Sequence, residues 1–96
     1  MHATICYYAH ASGPIAEVMR AGRALTALVS QAPGFISYVV LDRGRGALMS
    51  VSVFETQAEL ENADRLVARW MPEHLDRLLP HPPVVRSGEV VLQHGL

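Results

Sequence analysis

Residues 32 to 56, reading APGFISYVVLDRGRGALMSVSVFET, constrain the fold more than any other stretch, because two apolar runs are joined there by a short loop of arginine and glycine. Phe35 to Leu41 and Ala47 to Phe54 are rich in Val, Ile, Tyr, Phe and Ser. The Asp-Arg-Gly-Arg-Gly between them supplies the positive-φ positions that a tight reversal needs, so the pattern predicts a β-hairpin. Alternation puts Phe35, Val39 and Leu41 on one face of its first strand and Ile36, Tyr38 and Val40 on the other. A strand apolar on both faces requires cover on both sides of its sheet.

The flanking segments supply one cover. Thr4 to His10 contains Ile5, Cys6, Tyr7 and Tyr8, a β-branched and aromatic mix suited to a first strand. Ser12-Gly13-Pro14 interrupts it, with Ser12 or Gly13 placed to cap a helix and Pro14 in its first turn. Ile15, Val18, Met19, Gly22, Leu25 and Val29 then recur at helical spacing, an amphipathic helix of about five turns. Ala32-Pro33-Gly34 ends it. After the hairpin, Thr56-Gln57-Ala58-Glu59 has the form of a capping box. It opens a second helix with Leu60, Ala63, Val67, Trp70 and Met71 as its apolar stripe, and Glu61, Asp64, Arg65 and Asp76 away from it. Pro72 is expected to kink or restart this helix, leaving Glu73 to Leu79 as a separate turn or two with Leu75, Leu78 and Leu79 inward. Val84 to Gln93 reads as a last strand with a bulge at Gly88.

The order strand, helix, strand, strand, helix, strand predicts an α+β, ferredoxin-like βαββαβ domain over residues 1–96, with both helices on one face of a four-stranded antiparallel sheet. The opposite face then lies bare, and its apolar residues call for a second copy packed there under two-fold symmetry, a dimeric α/β barrel. Half of the residues are apolar in a chain of only 96, which points the same way. Net charge is −1, and the basic residues, all arginine, are scattered, so neither a nucleic-acid footprint nor a membrane-binding basic patch is expected. The lone Cys6 excludes an internal disulfide, the histidines show no metal spacing, and no glycine-rich phosphate loop follows a strand. No cofactor or metal is expected, and with neither a leader-like start nor a spanning apolar run the chain reads as soluble and cytoplasmic.

Ala32-Pro33-Gly34-Phe35, Val51-Ser52-Val53-Phe54-Glu55-Thr56 and Gly88-Glu89-Val90-Val91, taken with the order of elements, resemble the antibiotic biosynthesis monooxygenase family of dimeric α/β barrels along essentially the whole chain. The resemblance implies the fold strongly and the chemistry weakly, since that family spans cofactor-free oxygenases of polyketide aromatics, haem-degrading enzymes and quinol oxygenases. Haem degradation in the family needs an Asn on the first strand, a Trp inside the second helix and a ligand His about ten residues after it. Here the first strand has no Asn, the counterpart of that Trp falls near Ala63, and only His74 sits near the ligand position, so that mechanism is not expected. Cofactor-free relatives contact their aromatic substrate with Trp, Tyr, Asn and Arg, and Trp70, Tyr38, Asn62 and Arg86 are the residues of those types here.

The chemical candidates follow. Cys6, Tyr8 and His10 share one strand face and would give a pocket a thiol, a phenol and a base, although Cys6 and Tyr8 are also ordinary buried strand residues and His10 ordinary at a strand end. Arg86 could neutralise an enolate or phenolate, or lie in solvent paired with Glu89. Tyr8, His10 and Arg86 are thus the catalytic candidates; Tyr38, Trp70 and His74 are the substrate-binding ones, with packing as the alternative for Tyr38 and Trp70 and a solvated or locally hydrogen-bonded imidazole as that for His74. The expected function is a cofactor-independent monooxygenase acting on a small hydrophobic aromatic between sheet and helices. The alternative is a non-catalytic dimer of the same fold that shelters a small ligand or serves a larger enzyme.

Overall fold

The computed structural model describes residues 1–96. Its elements run β1 (His2–Tyr8), α1 (Ile15–Ser30), β2 (Phe35–Gly44), β3 (Ala47–Phe54), α2 (Gln57–His74) and β4 (Val84–Glu89). The strands form one sheet in the spatial order β2-β3-β1-β4, every neighbouring pair antiparallel, which is the ferredoxin-like arrangement expected from the order of elements.

Register divides the side chains between two faces. Thr4, Cys6 and Tyr8 of β1 lie opposite Ser52, Ser50 and Leu48 of β3, and Tyr38 and Val40 of β2 continue the same rows. Both helices cover this face. The core there joins Val18, Leu25 and Val29 of α1 to Leu60 and Ala63 of α2 around a fully buried Phe54. Odd-numbered residues of β1 and β3, with Val39 and Leu41 of β2 and even-numbered residues of β4, fall on the opposite face, where Val39, Val51 and Ile5 make one transverse row and Leu41, Met49, Tyr7 and Val84 another. No element of the chain covers them, and Val39, Leu41, Tyr7 and Val84 remain exposed.

The hairpin turns over Arg45 and Gly46, at φ 56° and 80°, between the paired Gly44 and Ala47. Two consecutive positive-φ residues are the backbone of a turn whose twist matches that of its strands. Asp42 supports the approach, its Oδ1 accepting from the Gly44 amide at 2.9 Å. A register shift between Phe35 and Ser37 changes the expected alternation: Phe35 stands opposite Phe54 and packs edge-on against it, with ring centroids 5.9 Å apart. Phe35 therefore belongs with Tyr38 on the helix side, not with Val39.

Other boundaries move for identifiable reasons. β1 lies two residues earlier than expected and ends at Tyr8, because the Ala11 amide donates to Gly46 O and the Ser12 amide to Leu78 O, drawing the chain out of the sheet. β4 stops at Glu89 because its only neighbour begins at His2; one further bond, Val90 N to Met1 O, closes the ladder. Gly88 pairs regularly with Ala3, so no bulge forms there. Pro14 occupies the N-cap of α1 without a side-chain cap, whereas Thr56 caps α2 as expected, its Oγ1 accepting from the Glu59 amide at 3.2 Å. Pro72 does not restart α2, which continues to His74. It falls in the last turn, where the lost amide removes a single bond. Leu75 and Leu78 follow in tight turns and are buried, as the sequence suggests.

Candidate active site

An open cleft of about 260 Å³ runs between β1 and α2, floored by Thr4, Cys6 and Tyr8 and walled by Asp64, Val67 and Met71, with Pro83 and Val85 at its lip. It adjoins a crevice of about 300 Å³ under residues 80–83, and the two share Tyr8, Ala68, Met71 and Pro83. Deeper, a cavity of only about 40 Å³ lies under α1, lined by Tyr8, Tyr38, Leu48 and Ser50 among mostly apolar side chains. Tyr8 is common to all three, so the last residue of β1 is the pivot of the site.

The polar groups here sit on alternate residues of the strands. Thr4, 2 % exposed, donates from Oγ1 to Asp64 Oδ2 at 3.1 Å, which satisfies a hydroxyl otherwise cut off from water. Burial pushes the Tyr8 hydroxyl well above the ordinary phenol value, with nearby Cys6 and Tyr38 adding to the shift. Burial likewise raises Tyr38 and Cys6, and Ser50 beside each of them offsets part of the effect. All three therefore stay protonated at neutral pH, as hydrogen-bond donors and not as bases. Asp64 is raised too, first by burial, with the Thr4 bond acting against the shift and Glu61 adding to it.

The structure separates the other sequence candidates from this cleft. Arg86 pairs with Ile5, which puts it on the uncovered sheet face; its guanidinium is exposed and donates to Val85 O at 2.8 Å. It lies across the sheet from an anion bound beside Tyr8. His10 lies past the end of β1, is exposed, and does not share the Tyr8 face; its ring stands edge-on to His81, 6.2 Å away, at the rim of the crevice. Trp70 and His74 stack on each other with centroids 4.2 Å apart, and His74 Nδ1 lies 2.9 Å from Trp70 O. That pair stands one turn apart on α2 and is part of no wall of these cavities. Tyr8 and Tyr38 are thus the two candidates brought together. Asp64 was placed away from the apolar stripe, yet it reaches β1. Its spacing of four after Leu60 and three before Val67 puts it at the stripe's edge, the signal available in the sequence.

No family model matches the sequence, and comparison with curated proteins finds no match. Solved structures do match. An antibiotic biosynthesis monooxygenase, so named provisionally, from Nitrosomonas europaea superposes with TM-score 0.77 at 14 % identity, covering 96 % of this chain and 100 % of its own. A variant of SnoaB, a cofactor-independent oxygenase from Streptomyces nogalater, superposes with TM-score 0.67 at 16 % identity, covering 99 % and 96 %. A variant of MhuD, solved with two manganese protoporphyrin IX bound per active site, gives TM-score 0.76 at 17 % identity and covers 99 % of each chain. The chain has the fold of the antibiotic biosynthesis monooxygenase structures, and at these identities the likeness extends to fold alone.

Proposed function

We propose that this chain is a cofactor-independent oxygenase for a small, electron-rich hydrophobic aromatic of phenol or quinol type, bound in the cleft between β1 and α2. The observation that carries the reading is Tyr8: a half-buried, protonated hydroxyl at the junction of an apolar cleft and its neighbouring crevice. Such a donor, aimed where negative charge gathers on a substrate oxygen, stabilises the anion that reacts with dioxygen, and in an apolar wall that interaction is stronger than in water. Tyr38 lines the deeper cavity together with Tyr8, a second protonated phenol beside the site. Cleft and crevice have the size of a small-ligand site when filled together, which fits one or two fused rings. The likeness of fold to SnoaB supports the reaction class.

The active form in this reading is a homodimer joined through the uncovered sheet face. Val39, Leu41, Tyr7 and Val84 are 48, 44, 37 and 51 % exposed there, an apolar patch in need of a partner. A reducing, cytoplasmic setting belongs to the same reading, in keeping with the single free Cys6. No helix is long and apolar enough to cross a membrane.

One observation favours a second reading, a dimer that binds an aromatic without oxidising it: the small cavity beneath α1, at about 40 Å³, has no room for a ring. Turnover separates the two. The oxygenase reading predicts dioxygen consumption with at least one anthrone, quinol or flavonol, reduced at least about tenfold by Tyr8→Phe. Saturable binding of such compounds with no oxygen use supports the second reading and removes the first.

A further inference from the structure

Asp64 is the only charged residue in the walls of the cleft and of the narrow crevice that continues it toward α1. No arginine lines either space or the two cavities that adjoin them. The groups facing Asp64 across the cleft are Thr4, Cys6 and Tyr8 of β1, all neutral donors, and Val85 of β4; on its own helix Glu61 is the nearby charge. The arginines that follow on α2, Arg65 and Arg69, point into solvent. The adjoining crevice adds Asp76 and His81, so a half-buried carboxylate looks into an apolar slot with no arginine to answer it and one imidazole in the next space. Its one hydrogen bond in the chain comes from Thr4 to Oδ2, which fixes the group and leaves Oδ1 for a ligand.

We infer that the Asp64 carboxylate is the proton acceptor of the cleft, and that the cleft accordingly takes neutral phenols and hydroquinones and turns away aromatics bearing a carboxylate. The inference rests on the reading of this cleft as an oxygenase site for its chemical consequence, but not for its selectivity. In the bound state the ligand hydroxyl donates to Asp64. As charge develops, the ligand O–H bond breaks, an O–H bond forms on the Asp64 carboxyl, and the electron pair stays on the ligand oxygen. A general base works best when its affinity for the proton approaches that of the group it serves, and burial moves Asp64 in that direction. Thr4 is a positioning residue. A carboxylate on the ligand would instead meet a like charge between apolar walls, with no arginine there to neutralise it and with Asp76 a second carboxylate, beside His81, in the adjoining crevice.

Binding without oxygen tests this. The probes are β-naphthol and its hydroxynaphthoate analogue, the same fused rings with one carboxylate added, titrated anaerobically at neutral pH by calorimetry. The wild-type chain binds naphthol at least about tenfold more tightly than hydroxynaphthoate, the ratio expected when a hydrogen bond to a charged group is exchanged for repulsion. Asp64→Asn loses about tenfold in naphthol affinity and gains affinity for hydroxynaphthoate, whereas Asp64→Glu, which keeps the charge, keeps the preference. Equal binding of both probes to the wild type, binding of neither, or an unchanged ratio in Asp64→Asn overturns the inference. The wild-type ratio is readable even where a variant does not fold. It is also independent of turnover: a chain with the ratio but no oxygen use refutes the oxygenase and keeps the selectivity, and one with oxygen use but no ratio does the reverse.

Discussion

Replacing Val39 by aspartate asks whether the uncovered sheet face is an interface. Val39 lies midway along β2, opposite Val51, in a row that continues across the sheet to Ile5. It is 48 % exposed in the single chain, so a carboxylate there stays hydrated in the monomer and costs folding no more than about 1 kcal/mol in strand preference. In a two-fold dimer packed through this face the same carboxylate is sealed between two sheets, against Val51 and Ile5, and symmetry supplies two of them. Several kcal/mol for each buried unpaired ion, at 1.4 kcal/mol per decade, weakens dimerisation by at least about a thousandfold. Sedimentation velocity at micromolar concentration reads this directly: the wild type sediments as a dimer and Val39→Asp as a folded monomer, with circular dichroism confirming that the sheet survives. Arg20→Asp, on the exposed side of α1, leaves the dimer intact. A wild-type monomer, or a Val39→Asp dimer of undiminished stability, refutes the placement of the interface.

Three further perturbations have definite signs. Arg45→Asn relieves a non-glycine residue held at φ 56° in the hairpin turn and should raise stability by up to about 1 kcal/mol in urea unfolding; a loss would mean that the Arg45 side chain supports the fold. Phe54→Ala removes the 0 % exposed ring at the centre of the core and its edge-on contact with Phe35, at a cost of about 3–5 kcal/mol, a large part of the stability of so small a domain, measured by the same unfolding curves. Asp64→Asn changes the pH dependence of stability. Because the folded-state pKa of Asp64 is raised, its contribution is fully present below the ordinary aspartate value and is lost as pH rises through the folded value. Paired thermal melts from about pH 3 to about pH 7 should show Asp64→Asn gaining on the wild type as pH rises through that window; a pH-independent gap contradicts the burial of the carboxylate.

The scaffold was legible in the sequence because its signals are local. Two apolar runs around a glycine turn, a capping box at Thr56, and leucines after Pro72 each fix backbone within a few residues, and together they determine the order of elements. What stayed hidden depends on register. Whether Arg86 meets the cavity or the bare face turns on its pairing with Ile5, a contact more than eighty residues away in the chain, and a slip of one residue would invert the answer. The bulge near Ser37 moves Phe35 across the sheet for the same reason. His10 was grouped with Tyr8 on the assumption that β1 runs on, whereas the tethers from Ala11 to Gly46 and from Ser12 to Leu78 end the strand first. Trp70 and His74 fit the helical spacing of a pair, and the pair faces itself. Asp64 was missed because a carboxylate at the edge of a stripe reads as solvated until the buried Thr4 hydroxyl opposite it is known.

The proposed oxygenase oxidises an aromatic beside Tyr8 without a bound cofactor. Dioxygen uptake by the purified, metal-free protein, followed at an oxygen electrode across anthrones, quinols and flavonols, tests it most directly. An oxygenase of this kind takes up dioxygen stoichiometrically with at least one neutral phenolic member of that panel and loses most of the rate in both Tyr8→Phe and Asp64→Asn. Uptake with none of them, or a rate untouched by either substitution, would contradict it.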